Sequence, residues 1–222
     1  MMTKGWFMVA CLGWSGLLVG QEFGPGNEGY IEVVNAIALK TPTEVSLNRG
    51  NEPLWTEMES GHNSGVMPLF TGDYLFRVRN EECVKPEISE TIKLTGGAYH
   101  TVILYTDLEE KEGEMVPRLR LSRFSGDRKV GEPKLSIVSV SKRPEVQISV
   151  GGNPVTLASK RPRQFPVKME DEVVLKQGAE KLETLEITSP VAYLVFLYDQ
   201  PDSALLGTTV VRQIMILPPK LD

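Results

Sequence analysis

The sequence predicts an all-β protein made of two tandem β-sandwich lobes, immunoglobulin-like or jelly-roll-like, that arose by internal duplication. The first observation is a repeat: residues 90–105 (ETIKLTGGAYHTVILY) align without a gap with residues 183–198 (ETLEITSPVAYLVFLY) at a constant offset of 93. The second is that turn signals separate short alternating apolar segments about every 8 to 12 residues. The third is that no stretch shows the apolar period of a convincing amphipathic helix.

The two copies of the repeat share six identical positions. One apolar side chain replaces another at Ile92/Leu185, Leu94/Ile187 and Ile103/Phe196. Each copy is predicted to form a β-hairpin, with a turn at Gly96-Gly97 or at Ser189-Pro190. The second strand of each copy is apolar on both faces, which is typical of a central strand. We therefore expect truncation to alanine at its core positions to cost roughly 2 to 4 kcal/mol. These positions are Val102, Leu104, Val195 and Leu197.

The duplication also covers the strands that open each lobe. Val45-Ser46-Leu47 matches Ile148-Ser149-Val150, and each follows a proline that breaks the preceding segment. A further hairpin is predicted from residues 66–70 and 73–79 around Thr71-Gly72, with a counterpart in the second lobe. The predicted division of the chain is a signal peptide at 1–20, a first lobe at 30–124, a linker at 125–133 and a second lobe at 134–217.

The first twenty residues predict a secretory signal peptide. Lys4 precedes an uncharged run from Trp6 to Val19, and the small Gly20 precedes Gln21. Fourteen apolar residues are too few to span about 30 Å of hydrocarbon, so we expect no membrane span after cleavage. The alternatives are a short buried helix, an uncleaved anchor or lipidation at Cys11. Intact-mass measurement of the exported protein decides between them, because the prediction places the mature start near Gln21.

Loss of the leader would leave Cys83 as the single cysteine, so no internal disulfide could form. A disulfide-free exported chain suits a bacterial periplasm or cell surface, and a periplasmic or secreted location is predicted. The charge is uneven: residues 21–128 hold 11 basic and 18 acidic groups, whereas residues 129–222 hold 12 and 11. This acidic balance disfavours a nucleic-acid partner.

The first lobe is longer than the second. Leu47 and Glu90 are 43 residues apart, whereas Val150 and Glu183 are 33 apart. The ten extra residues are predicted to form a loop within Asn51 to Gly65, and this loop is a candidate contact surface. The alternative is that its tryptophan caps the end of the sandwich. Under the contact hypothesis, residues 51–64 can be deleted without loss of stability. The candidate residues are Trp55, Met58 and His62.

Arg118 and Arg120 project from the same face of a predicted strand that follows an acidic loop at residues 108–114. Two guanidinium groups at this spacing could bind an anionic glycan. Alternatively, they protect an exposed sheet edge from pairing with another chain. Both residues are therefore included in the candidate binding surface.

The sequence predicts no catalytic, cofactor-binding or metal site, and we expect a protein that is not an enzyme. It contains no G-x-S-x-G elbow, no H-E-x-x-H motif and no phosphate-binding loop. Its two histidines, His62 and His100, have no neighbouring histidine or cysteine in the sequence to complete a zinc set. Cys83 follows Glu81 and Glu82, whose charge is expected to raise its pKa and weaken it as a nucleophile.

Two segments carry a resemblance to a known family: Phe70-Thr71-Gly72-Asp73-Tyr74 and Ile92-Lys93-Leu94-Thr95-Gly96-Gly97-Ala98-Tyr99. Together with the repeat, they resemble the periplasmic adaptor of the alginate O-acetylation machinery and related secreted bacterial two-repeat domains of unknown function. The resemblance implies tandem β-sandwich lobes and a non-enzymatic adaptor. It also implies a partner that is an envelope protein or a polysaccharide. The alternative is a glycan-binding or structural envelope protein. The second lobe departs from the pattern at Ser189-Pro190.

Overall fold

The computed structural model describes residues 27–50, 52–125 and 132–213, and these form sixteen β-strands and no helix. The predicted signal peptide and most of the predicted linker lie outside the described residues. The first lobe contains eight strands: β1 (Glu28–Asn35), β2 (Thr43–Asn48), β3 (Thr56–Met58), β4 (Asn63–Phe70), β5 (Gly72–Arg79), β6 (Glu87–Leu94), β7 (Tyr99–Lys111) and β8 (Glu114–Ser125). The second lobe contains eight more: β9 (Lys134–Ser139), β10 (Glu145–Val150), β11 (Asn153–Ala158), β12 (Arg163–Phe165), β13 (Glu172–Gln177), β14 (Glu180–Glu186), β15 (Ala192–Asp199) and β16 (Leu206–Gln213).

Each lobe is a sandwich of two four-stranded sheets, which confirms the predicted fold class and the duplication. The first lobe has the strand orders β4-β1-β7-β8 and β3-β2-β5-β6. The second has β12-β9-β15-β16 and β11-β10-β13-β14, which is the same arrangement shifted by eight strands. In both lobes the opening strand pairs in parallel with the second strand of the sequence repeat. The strand order, which the sequence left open, is therefore the same in both copies.

The central strands β7 and β15 are buried on both faces, as the sequence predicted. Val102 and Leu104 point into the core of the first lobe, and Val195 and Leu197 point into the core of the second. The residues between them point the other way, into a third apolar cluster that joins the lobes. Since strand side chains alternate between faces, one continuous apolar run serves two cores at once.

The third cluster packs the β4-β1-β7-β8 sheet of one lobe against the β12-β9-β15-β16 sheet of the other. Its buried members are Val34, Ala36, Ile103, Tyr105, Val138, Val140, Leu194, Phe196, Tyr198 and Val211. Tyr105 and Tyr198 occupy equivalent positions, as predicted from the repeat, and each lies on the face that meets the other lobe. The molecule is therefore a stack of four sheets, with the two middle sheets packed on each other.

The predicted hairpins are wrong. In each copy of the repeat, the first strand pairs within one sheet and the second strand within the other: β6 pairs with β5, whereas β7 pairs with β1 and β8. The same holds for β4 and β5, which flank Thr71-Gly72, and for their counterparts β12 and β13. Each short connection is an arch that crosses from sheet to sheet. The strands it joins face each other through core side chains instead of backbone hydrogen bonds.

The single ten-residue insertion predicted at residues 51–65 is also wrong. Eleven positions separate Leu47 from Met58, against seven between the equivalent residues Val150 and Leu157. Only four of the extra residues therefore precede β3. The other six lie between Phe76 and its partner Glu90, which are 14 positions apart, against eight between the equivalent residues Leu175 and Glu183. Five of the six lengthen the β5–β6 connection, where residues 80–86 correspond to the tight turn at residues 178–179.

We predict that alanine at Val102, Leu104, Val195 or Leu197 lowers the free energy of unfolding by roughly 2 to 4 kcal/mol. All four side chains have no exposed surface, and removal of a fully buried side chain loses apolar burial and leaves a cavity. Urea denaturation measures the effect, with Leu54→Ala as the control because that side chain is 65% exposed. A cost at the four buried positions no larger than that of the control would contradict the assignment of these cores.

Candidate functional site

The sequence-predicted contact residues of the first loop do not form one surface. Met58 ends β3 and is a buried member of the first-lobe core. His62 is exposed, and its carbonyl oxygen accepts a hydrogen bond from the Asn35 backbone amide. Trp55 is half-buried just before β3. Of these three residues, only His62 and part of Trp55 are accessible to a partner.

Trp55 lies under Arg79 on the outer face of the β3-β2-β5-β6 sheet. The Arg79 guanidinium carbon is 4.4 Å from the centroid of the tryptophan ring, and the same guanidinium is held by two hydrogen bonds to the Glu44 carboxylate. The hydrogen bond from Arg79 lowers the pKa of Glu44. Because the Arg79 guanidinium stacks on the Trp55 indole, it covers the ring face that a binding partner would have to contact. Trp55 is therefore shielded by Arg79 on the outer face of the sheet, and it is not among the residues that pack against the first-lobe core, so the structure supports neither a free contact residue nor a cap on the end of the sandwich.

The prediction that residues 51–64 can be deleted without loss of stability conflicts with the structure. The segment contains β3, which pairs with β2 through Thr43, Glu44 and Val45. It also contains the buried Met58 and the start of β4. Deletion would remove an edge strand and part of the core, so a loss of binding in that variant would carry no information about contact.

The accessible element peculiar to the first lobe is an extension of the β7–β8 hairpin. We call residues 107–118 the arm. Fifteen positions separate Tyr105 from Arg120, whereas nine separate the equivalent residues Tyr198 and Gly207. The arm adds five residue pairs, from Asp107 with Arg118 to Lys111 with Glu114, so it projects by roughly 15 Å at about 3.4 Å per residue.

The arm was predicted as an acidic loop, but its residues continue both strands. Glu112 and Gly113 form the two-residue turn, with φ values of 55° and 85°. Positive φ at both turn residues matches the right-handed twist of a hairpin. The arm contains five acidic residues and two basic ones. It is therefore an ordered acidic ribbon.

One face of the arm carries an apolar row that starts in the core. Leu119 is buried, and Pro117 and Met115 follow it on the same face of β8 because strand side chains alternate. Leu108 lies opposite Pro117, diagonal to Met115. Leu108 is 44% exposed and Met115 is 59% exposed. The row therefore leaves the core and ends as two accessible apolar side chains.

The longer β5–β6 loop of the first lobe lies at the base of this row. The Val84 amide donates a hydrogen bond to the Pro117 carbonyl oxygen. The loop is anchored by the buried Asn80 side chain, which donates to the Thr41 carbonyl oxygen and accepts from the Glu82 amide. Two extensions that the second lobe lacks, the loop and the arm, therefore meet at one place.

Arg118 and Arg120 lie on the opposite face of the arm, the face that continues towards the second lobe. Arg118 pairs with Glu109 at 2.6 Å, and Arg120 pairs with Asp107 at 3.4 Å. Lys160 of the second lobe also binds Asp107 and lies 5.6 Å from the centroid of the Tyr105 ring. β8 is an edge strand of its sheet, as the edge interpretation expected. Both arginines are engaged with acidic residues of β7, and together with Lys160 they hold the base of the arm.

Cys83 belongs to the same loop, and its side chain is buried in the first-lobe core. Burial, followed by the charge of Glu82, raises the pKa of its thiol to about 11. The direction agrees with the sequence analysis, but burial is the larger cause. Burial and neighbouring charge lower the pKa of His100.

We predict that stability falls as the pH rises from about 9 to 11, in part because of Cys83. The unfolded thiol loses its proton near its ordinary pKa of 9, whereas the folded thiol keeps it until about pH 11. Deprotonation therefore favours the unfolded chain, by up to about 2 to 3 kcal/mol over this interval. Urea denaturation at pH 8, 10 and 11 measures the fall, and Cys83→Ala should show a shallower one. Equal slopes would contradict the prediction.

Within the ranges 27–50, 52–125 and 132–213, no group of three or more His, Cys, Asp or Glu side chains is placed to hold a metal ion. Nor do those ranges contain a helix that is long and apolar enough to cross a membrane. Comparison of the chain with known protein families and with curated proteins finds no match.

Proposed function

We propose that this protein is an exported, non-catalytic binding protein of the bacterial cell envelope, and that it contacts a partner protein through the arm. The observation that carries the proposal is that the two extensions of the first lobe meet at Pro117, in the apolar row that leads to the exposed Leu108 and Met115. The second lobe repeats the strand order without either extension. In a duplicated fold, a difference confined to loops and hairpin ends of one copy is a favoured place for a binding site.

The chemistry of the arm supports a protein partner. Its exposed apolar side chains are a leucine and a methionine, and methionine is enriched at protein interfaces because its flexible thioether adapts to the opposing surface. Acidic residues surround them, including Glu110, which lies directly opposite Met115. A complementary surface would present an apolar pocket with basic groups at its rim. The resemblance to adaptors of exopolysaccharide O-acetylation supports a role as an accessory to such a machinery.

The double substitution Leu108→Ser with Met115→Ser should weaken partner binding at least tenfold. A photo-crosslinking residue placed at Glu110 first identifies the partner in envelope extract, and the affinity of the purified pair is then measured. Met169→Ser is the matched control, because Met169 lies in the second lobe and is also 44% exposed. The double variant should keep the wild-type unfolding midpoint, since neither side chain belongs to a core.

Two outcomes would contradict the proposal. One is equal affinity of the double variant and wild-type protein for the crosslinked partner. The other is loss of binding in Met169→Ser with retention in the arm variant, which would move the contact to the second lobe. Titration with acetylated and unacetylated polyuronate tests the glycan-binding alternative separately. Polysaccharide binding that is insensitive to both arm substitutions would favour that alternative.

A further inference from the structure

A buried carboxylate lies at the boundary between the lobes, away from the arm. Glu32 is on β1 and is 4% exposed. It accepts a hydrogen bond from the Tyr99 hydroxyl and another, at 2.6 Å, from the Asn63 side-chain amide. Both donors are neutral. Of the ion pairs among the described residues, none involves Glu32.

This arrangement is unusual for a buried acid. Removing a carboxylate from water costs several kcal/mol, and buried acidic side chains are almost always paired with a cation. Two neutral hydrogen bonds compensate for only part of the lost hydration. Burial, followed by the neighbouring Glu32, raises the pKa of Tyr99, so its hydroxyl remains a donor. The carboxylate is satisfied in its hydrogen bonds but has no counter-ion among the residues that the structure describes.

Glu32 lines a cleft of about 480 Å³ between the lobes. This volume lies within the range of about 300 to 1,000 Å³ that is typical of small-ligand sites. The opposite wall belongs to the second lobe and contributes two more carboxylates, Glu183 and Glu186. Tyr193 lies behind this wall and is only 1% exposed. Arg212 is the one basic residue of the lining, and its guanidinium lies 5.9 Å from the centroid of the Tyr193 ring.

We propose that this cleft binds an organic cation, an ammonium or guanidinium group, with the Glu32 carboxylate as its counter-ion. Three carboxylates against one guanidinium make the cleft attractive to positive charge. The group comes either from a free amine or from a lysine or arginine side chain of a bound peptide. The site is separate from the arm, so it stands or fails independently of the proposed function.

The test is calorimetric titration of the full-length protein with putrescine, with agmatine and with a tri-arginine peptide. We expect at least one probe to bind, and Glu32→Gln to weaken that binding at least tenfold. Arg212→Ala should tighten it severalfold, because Arg212 is the one positive charge of the lining and repels a bound cation. Glu145→Gln is the control, since it removes an exposed carboxylate of the second lobe outside the cleft. Preference for the small amines over the peptide, or the reverse, identifies the source of the cation.

The two substitutions have opposite expected signs, which makes the proposal easy to overturn. An anionic ligand predicts that Arg212→Ala weakens binding and that Glu32→Gln strengthens it. Unchanged binding in Glu32→Gln, or no binding of any of the three probes, would also reject the proposal. If Glu32→Gln does not fold, Glu183→Gln replaces it, with an expected loss of severalfold. An unchanged affinity in that variant would likewise reject the cation site.

Discussion

Replacement of Phe196 by alanine is expected to lower the free energy of unfolding by about 3 to 5 kcal/mol. Phe196 lies on the central strand β15 and has no exposed surface. It points out of its own lobe into the cluster shared with the first lobe, where its ring centroid is 5.5 Å from that of Phe124. Truncation leaves a cavity at the middle of the four-sheet stack, which two packed β-sheets cannot close without moving both lobes.

The matched control is Phe124→Ala, which breaks the same ring contact from the other side. Phe124 is only partly buried, on the edge strand β8, so its truncation should cost about 1 to 3 kcal/mol. Urea denaturation of both variants measures the difference. If Phe196→Ala costs no more than Phe124→Ala, the lobes do not pack through this cluster.

Gly61→Ala is expected to destabilise the protein by about 2 to 5 kcal/mol. Gly61 has a φ of 79°, which disfavours any residue with a Cβ atom, and an added Cβ would overlap the Tyr198 hydroxyl oxygen of the other lobe. A left-handed backbone costs an ordinary residue about 1 to 2 kcal/mol, and overpacking a filled site costs a further 1 to 3 kcal/mol. Thermal and urea unfolding both report the loss.

Gly65→Ala separates the two contributions. Its φ is 70°, but no atom lies within 4 Å of the added Cβ, so only the backbone cost of about 1 to 2 kcal/mol remains. Tyr198→Phe in the Gly61→Ala background removes the clashing oxygen and should recover part of the loss. A double variant no more stable than Gly61→Ala alone would show that the two lobes do not meet at this point.

One turn of each lobe, at Gly61 in the first and at Lys160 in the second, contacts the other lobe. The sequence could not predict that these two turns are structurally equivalent. The Gly61 amide donates to the Asn35 carbonyl oxygen, and the Lys160 amide donates to the Ser139 carbonyl oxygen. Asn35 and Ser139 are equivalent because they pair with Leu104 and Leu197. One turn therefore places a glycine against Tyr198, and the other places a lysine over Tyr105. Glycine and lysine share no side-chain chemistry, so their common position appears only in the backbone.

The arm was missed in the sequence for a similar reason. Its charge run suggested a solvated loop, and acidic residues mask the alternation on one strand. A signal was present in Glu112-Gly113, a turn-forming pair, and in Leu108, Met115 and Pro117, which share one face once the strands are paired across that turn. Glu32 carried even less signal, since a single glutamate in a strand gives no indication of burial between two lobes.

The sequence by itself determined that the apolar positions of the repeat are buried, that the fold is duplicated, and that the second strand of each repeat is central. Those properties follow from two features that can be read directly from the sequence. Apolar alternation involves only neighbouring residues, and the 93-residue offset comes from aligning the chain with itself. Only the tertiary structure decided which strand pairs with which. A short turn between two apolar strands is compatible with a hairpin or with an arch, because both bury the same side chains. The choice depends on where each backbone finds its hydrogen-bond partner. For β7 that partner includes β1, some 70 residues earlier in the chain, and no local pattern records a pairing over that distance.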